Sequence, residues 1–190
     1  MEVQFKDYGF YKIEREYLKF LHSKDGQVFF EDTDVYERKP HLGIVVGING
    51  INYCIPLTSA KPRHLGWGNV SKHNILIYEV VEKSEIHKKD VCKKLGTTDK
   101  YKKILAVLEI RKMVPVDDSL CTYIDFNSEQ DKEYKALLEK EYQFLKPMRK
   151  TILEKAVELY SKQKRTGKVE SCYCTFSILE SAYKEYIKNT

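Results

Sequence analysis

Nowhere in this 190-residue chain do apolar residues run to the roughly 20 in succession that a membrane helix needs. The opening Met1-Glu2-Val3-Gln4-Phe5-Lys6 has neither the apolar centre of a secretory leader nor the basic, serine-rich character of a transit peptide. A soluble cytoplasmic protein is the expectation. Five cysteines form no C-x-x-C pair and no two histidines stand at ligand spacing, so no zinc site is expected. The phosphate-cradling Walker loop, the dinucleotide pattern G-x-G-x-x-G, the nucleophile elbow G-x-S-x-G and the zinc-protease pattern H-E-x-x-H are all missing. The corresponding chemistries, from P-loop hydrolysis to dinucleotide redox reactions, therefore find no support.

What is present is a chain able to fold. A hydrophobic fraction of 42% supplies a proper core, and the length suits a single domain spanning residues 1–190. Basic side chains outnumber acidic ones by 33 to 28, and their placement says more than their number. Lys88, Lys89, Lys93, Lys94, Lys100, Lys102 and Lys103 crowd one stretch. Lys162, Lys164, Arg165 and Lys168 form another, beside Thr166-Gly167. Interleaved with 14 tyrosines, these clusters resemble the footprint of a protein that binds a flexible nucleic acid strand. A solvated lysine-rich surface produces the same pattern.

Gly9 to Ile13 reads as a short strand and Glu14 to Ser23 as a helix with Tyr17, Leu18 and Leu21 on one face. Leu42 to Ile48 and Ile51 to Leu57 are β-branched runs separated by Asn49-Gly50. This dipeptide is the strongest short-range hairpin signal, because both turn positions need positive φ. Pro56 cannot donate to a ladder, so the second strand is expected to be an edge there or to end there. Residues 59–73 read as loop, 75–81 as strand, and 85–103 as part helix and part loop. Further strands are expected over 104–110, 113–116 and 121–126. Beyond residue 128 the apolar period changes from 2 to about 3.6. Tyr134, Leu137, Leu138, Tyr142 and Leu145 form one stripe, and Met148, Ile152, Leu153, Ala156, Leu159 and Tyr160 a second across Pro147. A third follows Ser177-Ile178-Leu179-Glu180, which has the form of a capping box. The fold class is α+β, with a twisted antiparallel sheet early and helices late.

Chemistry concentrates in Pro56-Leu57-Thr58-Ser59-Ala60-Lys61-Pro62-Arg63-His64. Two hydroxyls, two cations and an imidazole leave the end of a buried strand together, on the rigid support a phosphate site needs. Polar residues after strands are also commonplace. This segment resembles the P-L-[ST]-S-x-K-x-x-H signature of the ToxN/AbiQ family, the protein half of type III toxin–antitoxin systems. Tyr11-Lys12-Ile13 followed by Tyr17-Leu18-Lys19-Phe20-Leu21 is similar to the family's opening strand and helix. Lys39-Pro40-His41-Leu42-Gly43-Ile44-Val45 resembles its lysine-led strand. Lys112-Met113-Val114-Pro115-Val116 and Cys174-Thr175-Phe176-Ser177-Ile178-Leu179-Glu180 resemble its later landmarks. Thr58-Ser59-Ala60-Lys61-Pro62 with the downstream Trp67 looks most like the CptN branch.

The resemblance implies a Kid/MazF-like twisted sheet elaborated with helices. It also implies an endoribonuclease acting on adenine-rich RNA, leaving a 2′,3′-cyclic phosphate and a 5′-hydroxyl. Its implied partner is a repeated pseudoknot RNA antitoxin, held in a closed ring of alternating protein and RNA. Such cleavage uses the RNA's own 2′-hydroxyl, so neither an enzyme nucleophile nor a metal or other cofactor is needed. The protein must move protons and stabilise charge on the phosphate. Carried over by motif, Lys39 transfers a proton or stabilises charge, Thr58 and Ser59 hydrogen-bond the phosphate, and Lys61 adds charge. Tyr17 and Tyr36 position or stack the substrate, and Arg63, His64, Trp67, Lys162, Lys164, Arg165 and Lys168 are the remaining RNA-contact candidates. Each has a plainer reading. Tyr17 fits the core stripe of its helix equally well, and His64 fits a loop-fixing role. Two alternative functions remain at this level: a Kid/MazF-like ribonuclease controlled by a protein partner, and a non-catalytic RNA-binding module.

Overall fold

A computed structural model describes residues 9–30 and 42–189. The strands are β1 (Phe10–Ile13), β2 (Leu42–Ile48), β3 (Ile51–Ser59), β4 (Ile75–Glu82), β5 (Val91–Lys94), β6 (Lys100–Leu108), β7 (Val114–Val116) and β8 (Cys121–Tyr123). The helices are α1 (Arg15–Lys24), α2 (Lys132–Leu145), α3 (Arg149–Thr166) and α4 (Phe176–Asn189). Among the described residues the eight strands form one sheet in the order β4-β6-β3-β2-β1-β8, with β5 added to β6 and β7 to β3. The pairings within it are antiparallel. The α+β reading is therefore the observed architecture.

The β2–β3 hairpin turns at Asn49 and Gly50, with φ of 49° and 77°, the two positive values its two-residue turn demands. Its register runs from Ile48 opposite Ile51 to Gly43 opposite Pro56. Gly43 is required by space: a Cβ there would lie 2.4 Å from Cys54 Sγ and 2.5 Å from the Ile55 carbonyl oxygen.

Pro56 does not end the strand. β3 continues through Ser59 and lies inside the sheet. Pairs alternate outward from the turn between hydrogen-bonded and non-hydrogen-bonded, so Gly43–Pro56 is of the second kind. The missing N–H of Pro56 thus faces away from β2. On that side β7 pairs only as far as Cys54 and β6 only from Leu57, so no ladder bond is lost. The Pro56 carbonyl points into the same gap and accepts from the Glu109 amide at 3.0 Å.

Residues 85–103 differ from the sequence expectation: they form the β5–β6 hairpin, not a part-helical loop. Their lysines are placed for cross-strand pairing. Lys103 lies opposite Glu79, and Lys100 opposite Glu82. The Lys103 ammonium is 2.9 Å from Asp90 and 4.0 Å from Glu79. Polar residues on both faces hid the period of 2.

Asp131 caps α2 by accepting from the amides of Glu133 and Tyr134 at 2.9 and 3.0 Å. Pro147 stands in the short turn between α2 and α3, and α3 ends at Gly167 in the left-handed conformation. Phe10 packs on Phe126 and Tyr142, and Tyr53 packs on Tyr160 and Phe176. The helical layer therefore covers the sheet face that carries Phe10, Ile44 and Tyr53. One continuous core runs from Phe10 to Ala182, and a smaller cluster of Leu76, Ile104 and Val107 lies beneath Ala60, Leu65 and Trp67. Leu153, expected on a buried stripe, is exposed.

The capping box at Ser177 and Glu180 does not form. The helix starts at Phe176, and the Thr175 carbonyl accepts from the amides of Ile178 and Leu179. The buried Glu180 carboxylate instead accepts from the hydroxyls of Tyr53 at 2.6 Å and Tyr160 at 2.8 Å, and from Lys164. No helix among the described residues is long and apolar enough to cross a membrane.

Candidate functional site

The last residues of β3 hold the Pro56–His64 motif. Leu57, Thr58 and Ser59 pair with Leu108, Val107 and Ala106, so the backbone beneath the two hydroxyls is clamped to a central strand. Thr58 is half-buried and Ser59 exposed. As neighbours on a strand they project from opposite faces at its end. The chain then folds through a 3-10 turn at Pro62–Gly66 that leaves Lys61 and Arg63 exposed.

His64 holds that turn together. Its Nδ1 accepts from the Lys61 amide at 3.0 Å, its own amide donates to the Lys61 carbonyl at 2.8 Å, and its ring lies 4.5 Å from that of Trp67. The Arg63 Nε lies 3.3 Å from Nε2, the other nitrogen of the neutral ring. Burial, reinforced by the Arg63 cation, lowers the His64 pKa and favours this neutral form. At 1% exposure the ring offers RNA no surface, which corrects the expectation of a contact residue.

Tyr17 is corrected more strongly. It is 0% exposed, donates its hydroxyl to the Pro115 carbonyl at 2.7 Å and packs its ring 5.0 Å from Tyr186. Burial raises its pKa. This is a core residue, and a base cannot stack on it without opening the helical layer. Lys39 and Tyr36 lie outside the described residues. Trp67 is half-buried, packing over the smaller cluster with one side against the Arg111 guanidinium at 5.7 Å.

The 162–168 cations divide into two kinds. All four are exposed, but Lys162 is paired to Glu170 at 2.5 Å and Lys164 to Glu180, which Arg165 and Lys168 do not reach. Hydrogen bonds from Lys164, Tyr53 and Tyr160 hold the Glu180 pKa below the carboxylate range, overcoming a burial that by itself would raise it.

Between motif and cluster lies a group that sequence reading did not select. Arg111 follows the buried Glu109, to which its Nε donates at 3.0 Å, and its guanidinium lies 6.0 Å from the centre of the Tyr173 ring. The Tyr173 hydroxyl is 2.8 Å from His73 Nδ1. The Lys112 ammonium donates to the carbonyl and side-chain oxygens of Gln27 at 2.7 and 2.8 Å. A cation pair directly after an apolar strand was the available signal, but it named no partner. Among the described residues no cluster of histidine, cysteine, aspartate and glutamate is arranged to hold a metal.

The family model described as Toxin ToxN, type III toxin-antitoxin system, matches residues 9–184. The chain belongs to the ToxN toxin family. The ToxN match extends from just before β1 into α4, so the motif and the 109–112 turn both fall within it. The chain is 27% identical over 180 residues to an endoribonuclease ToxN of Pectobacterium atrosepticum, covering 94% of each. It is 27% identical over 186 residues to an endoribonuclease ToxN of Bacillus thuringiensis subsp. kurstaki, covering 93% of this chain and 83% of that one. The fold matches a structure from work on type III systems in which a non-coding RNA pseudoknot selectively inhibits the toxin. That match has a TM-score of 0.73 at 23% identity, covering 96% of this chain and 99% of the other. It also matches AbiQ, a lactococcal anti-phage endoribonuclease of a type III system, with a TM-score of 0.65 at 20% identity and the same coverage of 96% and 99%. These two likenesses establish the fold.

Proposed function

We propose that this chain is the toxin of a type III toxin–antitoxin pair, a metal-independent endoribonuclease of the bacterial cytoplasm acting as one unit over residues 1–190. It cleaves adenine-rich RNA to 2′,3′-cyclic phosphate and 5′-hydroxyl ends. Its partner is a repeat pseudoknot RNA that it processes and that inhibits it within a closed ring of protein and RNA. The observation that carries this reading is the exposed Ser59 on a strand end clamped to β6, inside a chain that matches the ToxN family almost throughout.

The chemistry needs few parts. The 2′-hydroxyl attacks the adjacent phosphorus as its proton leaves, charge grows on the phosphate oxygens, and the 5′-oxygen departs with a proton. Ser59 and Thr58 donate hydrogen bonds to the phosphate, and Lys61 supplies charge. Lys39 transfers a proton or stabilises charge. Lys39 lies ten residues before Asn49 and Ser59 nine residues after Gly50. The antiparallel hairpin supports a site shared by its two arms at the open end. Tyr36, Arg63 and Trp67 contact the substrate strand, and Arg165 and Lys168 contribute to antitoxin binding.

The test is cleavage of single-stranded RNA in EDTA, followed by end-group analysis of the fragments. Cyclic phosphate on the 5′ fragment is expected. Strict magnesium dependence, or 3′-hydroxyl products, overturns the mechanism.

A further inference from the structure

The Arg111 guanidinium is fixed by its neighbours before any ligand arrives. Its Nε donates at 3.0 Å to Glu109, a carboxylate of 1% exposure that must be paired where it lies. The ring centres of Trp67 and Tyr173 stand 5.7 and 6.0 Å from the guanidinium, within the range of cation–π attraction. Both rings are held in turn. Trp67 packs 4.5 Å from the His64 ring, and the Tyr173 hydroxyl lies 2.8 Å from His73 Nδ1. Glu109 occupies one of the guanidinium's five donors. The two terminal nitrogens make no hydrogen bond to a described residue, and the side chain keeps 17% of its surface exposed. A planar fork in this state presents the parallel donors that grip a phosphate. Its freedom is already lost on folding, so binding costs little further ordering.

The surroundings favour an anion. Beyond burial, the cations Arg63, Lys61 and Arg111 all lower the His64 pKa, with Glu109 opposing them. Glu170, an acid that acts on His73, is already bound to Lys162 at 2.5 Å. The site also lies beside the Pro56–His64 motif. Thr58 stands opposite Val107, so these two side chains share one face of the sheet, where Leu65 and Trp67 pack over Val107. Arg111, against Trp67, is on the side to which Thr58 points. The Glu109 amide donates to the Pro56 carbonyl, and Ser59 lies about 10 Å further along β3. That span is more than a single phosphate bridges.

We infer that the Arg111 guanidinium, braced by Glu109 against the rings of Trp67 and Tyr173, binds a phosphate of the RNA strand next to the one that is cleaved. The inference rests on the functional reading above. Arg111 fixes the strand's path across the end of β3 and takes no part in proton transfer.

The test uses full-length wild type, Arg111→Met, Arg111→Lys and the double variant Glu109→Gln/Arg111→Met. Binding is read on a single-stranded adenine-rich RNA with every 2′-oxygen methylated, which cannot cyclise, and turnover on the unmodified strand. Arg111→Met should weaken binding by roughly tenfold to hundredfold. It should lower the slope of log affinity against log salt by about 0.7. KM should rise in step, while the rate at saturating RNA changes by less than about threefold. Arg111→Lys keeps the charge without the fork, so it should recover the slope and only part of the affinity. Arg111→Met strands the Glu109 charge, which the double variant removes. The double variant should therefore melt higher than Arg111→Met and bind RNA no better.

A double variant with wild-type affinity and salt slope means that Arg111 serves only Glu109, and it overturns the inference even if Arg111→Met fails to fold. A loss confined to the saturating rate, with affinity held, overturns the assignment to a neighbouring phosphate. In both cases a wild type that binds and cleaves RNA leaves the functional reading standing. A wild type that does neither overturns that reading, and this inference falls with it.

Discussion

The Pro56–Trp67 segment and the Lys162–Lys168 cluster carry the same kind of sequence signal, basic residues beside turn-forming ones, yet the structure uses them differently. In the first, the groups spent on holding the fold are neutral: the His64 ring, the Trp67 ring and backbone amides. Lys61 and Arg63 remain exposed. In the second, two cations are themselves the fastening, Lys162 on Glu170 and Lys164 on Glu180. A count of positive charge cannot separate these cases. What separates them is whether a carboxylate arrives from elsewhere in the chain.

The largest test of this contrast is Ser59→Ala. With the β3–β6 clamp untouched, it should cut cleavage by about two to three powers of ten at unchanged melting temperature. Growth on expression without antitoxin RNA, with circular dichroism as a folding control, reads the outcome. A folded Ser59→Ala protein that still kills removes the centre of the proposal.

Glu180→Ala should do the reverse, lowering stability by about 3 kcal/mol with its hydroxyl partners left unmatched. For a chain of this size that is roughly 6–12 °C in melting temperature. Lys164 is 38% exposed, so its ion pair supplies the smaller share. The folded pKa of Glu180 is depressed, so its stabilisation is present above the unfolded carboxylate pKa, near about 4.3, and is lost as pH falls through the lowered folded value. Melting curves should show the gap between wild type and Glu180→Ala closing across that acidic window. A gap constant down to strongly acid pH contradicts the assignment.

Gly43→Ala tests the hairpin that both arms of the proposed site share. Its new methyl would meet Cys54 and Ile55, and the resulting overpacking costs about 1–3 kcal/mol. Denaturant titration measures the loss. A neutral result would mean that β2 shifts freely on β3. The smallest effect belongs to Lys168→Gln. Losing one contact to a phosphate should lower the slope of log affinity against log salt by roughly 0.7–0.9 for antitoxin RNA, with cleavage rate held. Lys162→Gln should change that slope less, because its charge is already matched by Glu170. Equal slopes for the two variants would erase the distinction drawn within the cluster.

The hairpin was legible because Asn49-Gly50 imposes its turn through backbone preference alone, and the antiparallel sense of β2 and β3 follows from it. The helical stripes were legible for a similar reason: Leu138, Leu145, Ile152 and Ala156 repeat at the helical period and are buried. The Pro56–His64 motif was visible as a cluster of residue types, and family resemblance assigned its role. The 85–103 hairpin was obscured because polar residues occupy both faces of its strands, and Lys103 is matched by Asp90 and Glu79, which lie on other strands or turns.

By itself, then, the sequence determined what depends on a few neighbouring residues: turn type, strand and helix period, and the order of polar groups leaving β3. Tertiary structure alone decided which polar groups have partners. It buried Tyr17 on Pro115 and His64 beneath Trp67, turned Glu180 from a helix cap into the acceptor that joins β3, α3 and α4, and sent Lys112 to Gln27. The physical reason is reach. Backbone conformation is set over a few bonds, whereas the environment of a charge or an aromatic ring is set by whatever the folded chain brings within about 4–6 Å of it.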